Sequence, residues 1–190
     1  MEFDDQLKPK VFNPRDVIKQ LDLEQGMMVA DLGCGTGFLT FEAAKSVGID
    51  GLVYAVDIQQ GVISVIESGK KLYGIRNIET IIADLEVLNS TGIEDETMDY
   101  VFLATILYQV KKRESVVAEA KRILKPDGKI LLFDWRKQNI SFGPIFKMRF
   151  GKEDAKKLIA KTGLGLVREV NAGDFHYGLI LQKSVSSDKS

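Results

Sequence analysis

Short apolar runs alternate with amphipathic stretches along most of the chain. Five of the runs read as strands: "MMVADL" (Met27–Leu32), "LVYAVD" (Leu52–Asp57), "IETIIAD" (Ile78–Asp84), "MDYVFLA" (Met98–Ala104) and "KILLFDW" (Lys129–Trp135). They lack the strict apolar–polar alternation of a strand with one wet face, so both faces are expected to be covered. Between them lie helices. "NPRDVIKQLDL" opens on Asn13 as N-cap and Pro14 at the first helical position, with Val17, Ile18 and Leu21 on one face. "FLTFEAAKSVG" stops at Gly48, and "QQGVISVIESGKKLYG" is an imperfect amphipathic helix. "RESVVAEAKRIL" is a clear helix, halted by Pro126 and Gly128. "KEDAKKLIAKTG" is a last helix, and "GLVREVNAGDFHYGLILQK" reads as an antiparallel hairpin joined at Asn171–Asp174. The pattern predicts an α/β fold: a Rossmann-like, doubly wound, mostly parallel seven-stranded sheet, helices on both faces, with the hairpin at its C-terminal side.

The chain has 190 residues, the size of one domain. We expect a single unit over residues 1–185, with a helical segment at 1–25, a ligand-binding core at 26–135, and a substrate-side segment with the hairpin at 136–183. The polar end, residues 186–190, is expected to be disordered. Composition is that of a soluble globular protein, at 45% hydrophobic and 28% charged residues. One cysteine and one histidine argue against disulfides within the chain and against a metal site. No apolar run reaches the roughly 20 residues of a bilayer span. "MEFDDQLKPK" is too polar for a secretory signal, so a cytoplasmic location is expected. The net charge of −1 conceals a split: residues 1–110 hold 18 acids and 8 Lys or Arg, residues 111–190 hold 9 and 18. Such a split fits either two faces with different partners or charge scattered over the surface.

The chemistry concentrates in "VADLGCGTGF" (Val29–Phe38). A plain strand-to-helix turn needs one glycine, and here Gly33, Gly35 and Gly37 alternate. Without Cβ atoms the backbone turns sharply and a ligand can approach it. In open α/β sheets ligands bind beyond the carboxyl ends of the strands. The dinucleotide fingerprint is G-x-G-x-x-G, whereas the third glycine comes one residue early here. Asp31 would also meet a pyrophosphate with like charge, but would suit a ligand carrying an ammonium and a sulfonium.

"VADLGCGTGFLT" closely resembles the first motif of the class I S-adenosylmethionine-dependent methyltransferases. "VYAVDIQ", "IIADLEVL", "MDYVFLATILYQV" and "AKRILKPDGKILLFDW" resemble the family's following motifs in order, with Asp127 where glycine is frequent. The likeness covers about residues 13–183. It implies a cofactor, S-adenosyl-L-methionine, and a product, S-adenosyl-L-homocysteine, with no metal. It implies a cofactor site of Asp31, Gly33, Cys34, Gly35, Gly37, Asp57, Ile58, Asp84, Leu85 and Thr105. Gly33 and Gly35 would pass beside the methionine part and Asp31 would orient its ammonium. Asp57 would accept from both ribose hydroxyls. Asp84 and the Leu85 N–H would bind the adenine edge, and Ile58 would cover the adenine face. Thr105 would offer backbone to the ammonium end. Cys34 reads as a small buried filler, not a nucleophile.

The implied reaction is in-line methyl transfer to a small-molecule acceptor. The alternatives are an NAD(P)-dependent oxidoreductase and a cofactor-binding partner protein without turnover. No catalytic base is assigned. Tyr108 is the candidate to border the methyl or position a substrate. The segment around 136–161 holds many lysines and arginines with Phe142, Ile145, Phe146, Met148 and Phe150, and is expected to close over the substrate together with the N-terminal segment. Arg149 is the candidate to pair with an acidic group on it. His176, in the hairpin, is expected to lie away from the strand ends and to be structural. Nucleic acid is disfavoured by the near-zero charge. A monomer or homodimer is expected.

Overall fold

The computed structural model describes residues 12–184. The polar end expected to be disordered, and the N-terminal stretch weighed as a signal, lie outside the described residues.

Asn13 caps the first helix, α1 (Pro14–Ile18), by accepting the Arg15 N–H at 3.0 Å. β1 (Met28–Leu32), α2 (Phe38–Val47), β2 (Leu52–Asp57) and α3 (Gln60–Tyr73) follow, as the pattern predicts. β3 (Ile78–Ile82) ends two residues early and leaves Asp84 in a loop. β4 (Met98–Ala104), α4 (Arg113–Ile123) and β5 (Leu124–Trp135) complete the parallel part. α5 (Lys152–Ile159) leads to the hairpin of β6 (Leu164–Val170) and β7 (His176–Lys183).

β5 departs from expectation by starting at Leu124 instead of Lys129. Leu124 already pairs with Met98; the register then shifts, and pairing resumes at Tyr100 and Lys129. Pro126, which can give no ladder hydrogen bond, falls inside this irregularity, where a sheet tolerates it.

The sheet order is β3-β2-β1-β4-β5-β7-β6. β1 to β5 are parallel, and β7 runs antiparallel between β5 and β6. The strand pleat divides the core. Val29, Tyr100, Phe102 and Leu131 pack with Val17, Leu39 and Ile66 on the α1–α3 side. Ala30, Val101, Leu103 and Leu132 pack with Val116, Ala120 and Leu158 on the α4–α5 side. Successive residues of one strand thus serve opposite layers, which is why the runs are apolar throughout.

Part of the charge split is matched within the fold. Asp22 pairs with Lys129 (3.3 Å) and Arg168 (3.1 Å), Asp95 with Arg122 (2.6 Å), Asp99 with Lys125 (2.6 Å) and Glu96 with Lys183 (2.8 Å). Acids of the first half meet bases of the second. Another joint holds the β3–β4 loop. Buried Glu119 of α4 accepts the Thr91 hydroxyl (2.6 Å) and the Asn89 N–H (2.8 Å), and pairs with Arg122 (2.7 Å). Burial pulls this carboxyl upward, but Arg122, Thr91 and Asn89 outweigh it and hold it below the usual carboxylate range.

Among the described residues no helix is long and apolar enough to cross a membrane.

Candidate functional site

Strand order reverses between β1 and β4, the position where open α/β sheets form ligand crevices. A cavity of about 460 Å³ lies there, walled by the loops after β1, β2, β3 and β4. Asp31, Gly33, Cys34, Gly35, Asp57, Ile58, Asp84, Leu85 and Thr105 all line it, so residues far apart in sequence converge on one space.

Asp31 sits at the end of β1 and is 1% exposed. Its Oδ2 accepts the Thr40 hydroxyl at 2.6 Å, whereas Oδ1 has no hydrogen-bond partner among the described residues. Burial pushes its carboxyl up to about 6; the Thr40 bond opposes this and the Asp57 charge adds to it. Asp57, at the end of β2, accepts the Gly35 N–H on Oδ2 (3.2 Å) and the Gln59 N–H on Oδ1 (3.0 Å). The acid therefore ties the glycine loop to β2. Gly33 and Cys34 strengthen the tie by donating to the Val56 carbonyl at 2.8 and 2.9 Å. Gly35 has φ +50, and a Cβ there would meet nothing within 4 Å. A side chain at that point would project into open space beside the backbone.

Asp84 accepts the Glu86 N–H at 2.9 Å, which closes a tight turn and brings Glu86 to the same wall. Thr105 holds φ +53, a strained setting for a β-branched residue. It is kept there by its N–H on the Phe133 carbonyl (2.7 Å) and by its carbonyl accepting from Gln109 (2.8 Å). Cys34 is buried in the wall, and burial followed by the Asp31 and Asp57 charges pushes its thiol far up, which fits a filler.

Three expected site residues stand elsewhere. Gly37 does not line the cavity. It begins α2 at φ +84, and a Cβ would come within 2.5 Å of Ile66 Cδ1 and 2.8 Å of Phe41, so its smallness serves helix packing. Tyr108 is half-buried and also outside the lining; burial, then buried Asp134 nearby, raises its hydroxyl pKa and disfavours a phenolate. Arg149 is 3% exposed and occupied. It donates to the carbonyls of Gln138 (2.6 Å), Pro144 (2.8 Å) and Phe142 (2.9 Å), and its guanidinium lies 5.4 Å from the Trp135 ring centre. The expected anion partner is instead the clamp of its own loop, because a planar five-donor group satisfies several carbonyls at once.

The cavity also contains residues the sequence reading missed. Phe12 and Phe133 wall its β4–β5 end, joined by Ile106, Gln109 and Val110. Only long-range packing brings these together. His176 is also displaced from expectation. As the first residue of antiparallel β7 it pairs with Trp135 at the end of β5, so it stands at the carboxyl ends of the strands.

The lining has one further property. Its described residues include Asp31, Asp57, Asp84 and Glu86 and no lysine, arginine or histidine. An acid-lined crevice with a free buried carboxylate oxygen and an open glycine backbone fits a ligand bearing positive charge. A pyrophosphate would face like charge from these four carboxylates.

Residues 23–168 match the family model described as "Methyltransferase domain". The chain belongs to the methyltransferase-domain family. The chain is similar to demethylmenaquinone methyltransferases of Geobacillus stearothermophilus and Staphylococcus aureus. The first is 30% identical over 60% of this chain and 47% of the relative. The second is 30% identical over 74% and 55%. The chain thus spans about half the length of the curated relatives it matches. A solved SAM-dependent methyltransferase from Aquifex aeolicus superposes with a TM-score of 0.83 at 26% identity, covering 90% of this chain and 89% of that one.

Proposed function

We propose that this methyltransferase binds S-adenosylmethionine in the acid-lined cavity and transfers its methyl group to a small, uncharged acceptor carrying a flat apolar ring. One observation carries the reading: among the described residues four carboxylates and no cationic side chain line the crevice at the strand switch point. The same feature disfavours NAD(P) and an anionic acceptor. The relatives named above act, by name, on demethylmenaquinone. We carry across only the class of a ring acceptor, because Phe12 and Phe133 wall the far end of the cavity. A cytosolic setting and a single functional unit are part of this proposal.

When bound, the cofactor supplies an activated sulfonium methyl. The chain's own residues hold and shield. Asp31 offers its unpartnered oxygen to the ammonium. Asp57 braces the glycine loop and would hold the ribose, while Ile58, Asp84 and Leu85 would receive the adenine. Thr105 and Gln109 fix the floor after β4. Phe12, Ile106, Val110 and Phe133 would keep water from the acceptor end and give a flat ring an apolar wall to rest on.

Calorimetric titration tests this. S-adenosylhomocysteine is expected to bind in the micromolar range and NADH not at all; the reverse would move the reading to hydride transfer. The Asp31 assignment carries a pH signature. Its folded pKa of about 6 lies above the unfolded value of 3.8, so the free protein is more stable with Asp31 protonated. That contribution is present below about pH 4 and lost as pH rises through 6. Pairing with an ammonium needs the ionised form. Affinity for S-adenosylhomocysteine is therefore expected to fall about tenfold between pH 7 and pH 5, roughly one logarithmic step per unit once below the folded pKa. Asp31→Asn should bind weakly with no such slope. A flat wild-type profile would remove Asp31 from the ammonium site.

A further inference from the structure

His176 is 3% exposed at the carboxyl ends of β5 and its neighbours. Its ring stacks on Phe133 with centroids 4.9 Å apart, lies 4.1 Å from Trp135 and meets Phe12 edge-on at 5.0 Å. Neither Nδ1 nor Nε2 has a hydrogen-bond partner among the described residues. A neutral imidazole carries one donor and one acceptor, and leaving both unmet in a buried place opposes folding. Packing alone does not explain the residue, since a phenylalanine would stack there without that cost. Two of the three rings against it, Phe12 and Phe133, are the wall of the ligand cavity.

We propose that His176 recognises the methyl acceptor: its imidazole accepts the hydrogen bond of a hydroxyl on a flat aromatic ring that rests against Phe133 where the Phe12 ring now lies. This rests on the methyltransferase reading and narrows its acceptor to hydroxy-substituted aromatic rings. Burial, with Arg149 and Arg136 adding to it, pulls the imidazole pKa down to about 4. The ring therefore keeps an acceptor lone pair throughout the neutral range. Phe133 supplies the flat face and His176 the acceptor lone pair, which the indole of Trp135, a donor only, cannot offer. A site built to satisfy a substrate hydroxyl rejects the analogue that lacks it far more strongly than an apolar pocket does.

Trp135 is the single tryptophan and touches His176, so its fluorescence reports ligands arriving there. Protein saturated with S-adenosylhomocysteine is titrated with 1-naphthol and with 1-methoxynaphthalene, which has no donor. The wild type is expected to prefer 1-naphthol at least tenfold. His176→Phe should keep S-adenosylhomocysteine affinity within twofold, melt at the same or a higher temperature, and lose the preference. His176→Gln, whose amide oxygen accepts a hydrogen bond, should recover part of it, and it serves as the readout if the phenylalanine variant does not fold. An equal preference in wild type and both variants overturns the proposal. So does a wild type that binds S-adenosylhomocysteine but not 1-naphthol, which leaves the methyltransferase reading intact. A wild type that binds neither overturns both.

Discussion

Asp57→Ala is expected to weaken S-adenosylhomocysteine binding at least 100-fold. The carboxylate stands at the end of β2 with its two oxygens on different tasks. One anchors the glycine loop through Gly35, the other starts the turn into α3 through Gln59. Removing it takes away the acceptor proposed for the ribose and also lets the loop drift from the ligand. Hydrogen bonds to a charged group contribute about 1.5–3 kcal/mol each. Two such losses amount to roughly 3 kcal/mol or more, and about 1.4 kcal/mol is a factor of ten. Asp57→Asn keeps the shape and one oxygen acceptor, so it should fall between the two. Calorimetry measures the affinity, and a melting curve without ligand separates loop loosening from unfolding. Unchanged affinity in Asp57→Ala would sink the assignment.

Arg149→Met is expected to destabilise the fold by about 3 kcal/mol, with little direct effect on the cofactor site. Three partly buried carbonyls at 2.6–2.9 Å lose a charged donor, each such bond contributing about 1.5–3 kcal/mol before water replaces part of it. The loss of the guanidinium from the Trp135 ring adds to this. Arg149→Lys should recover little, because an ammonium cannot reach three carbonyls spread over one loop. Urea unfolding gives the stability. If Arg149 bound an acidic acceptor instead, the methionine variant would unfold normally and lose only acceptor affinity.

The contrast between Asp57 and Arg149 shows what a sequence discloses here. Asp57 was legible because its setting is local: an apolar strand, an acid at its end, and a glycine loop closing the preceding strand. Asp31 shares that local setting at the end of β1, whereas Asp84 and Leu85, in the loop after β3, were reached only through the resemblance of "IIADLEVL" to the family motif. Arg149 was not, since its charge is visible in sequence but its burial depends on how residues 136–149 fold back on it. His176 failed through direction. Its place in the hairpin is expected to keep it away from the strand ends, but β7 runs against β5, which brings its first residue to their carboxyl side. Phe12 belongs to a segment with no motif and Phe133 to a strand whose motif assigns it no role, and only packing unites them. The early start of β5 was hidden by Pro126, which ordinarily ends a strand.

The position of β7 also shapes how the sheet can be completed. It lies between β5 and β6, both of which precede it in the chain. Assembly therefore cannot proceed by adding each new strand to the outside. Until β7 inserts, β5 keeps an open row of amide and carbonyl groups beside the apolar residues Ile130–Phe133, the kind of edge that invites pairing with a second molecule. Bringing β7 to β5 also spans the whole loop and helix between them, which slows closure. Folding yield should thus depend on the hairpin more steeply than native stability does. A fragment ending before His176 would present a sticky sheet to its neighbours, even with every residue of the β1–β4 loops in place.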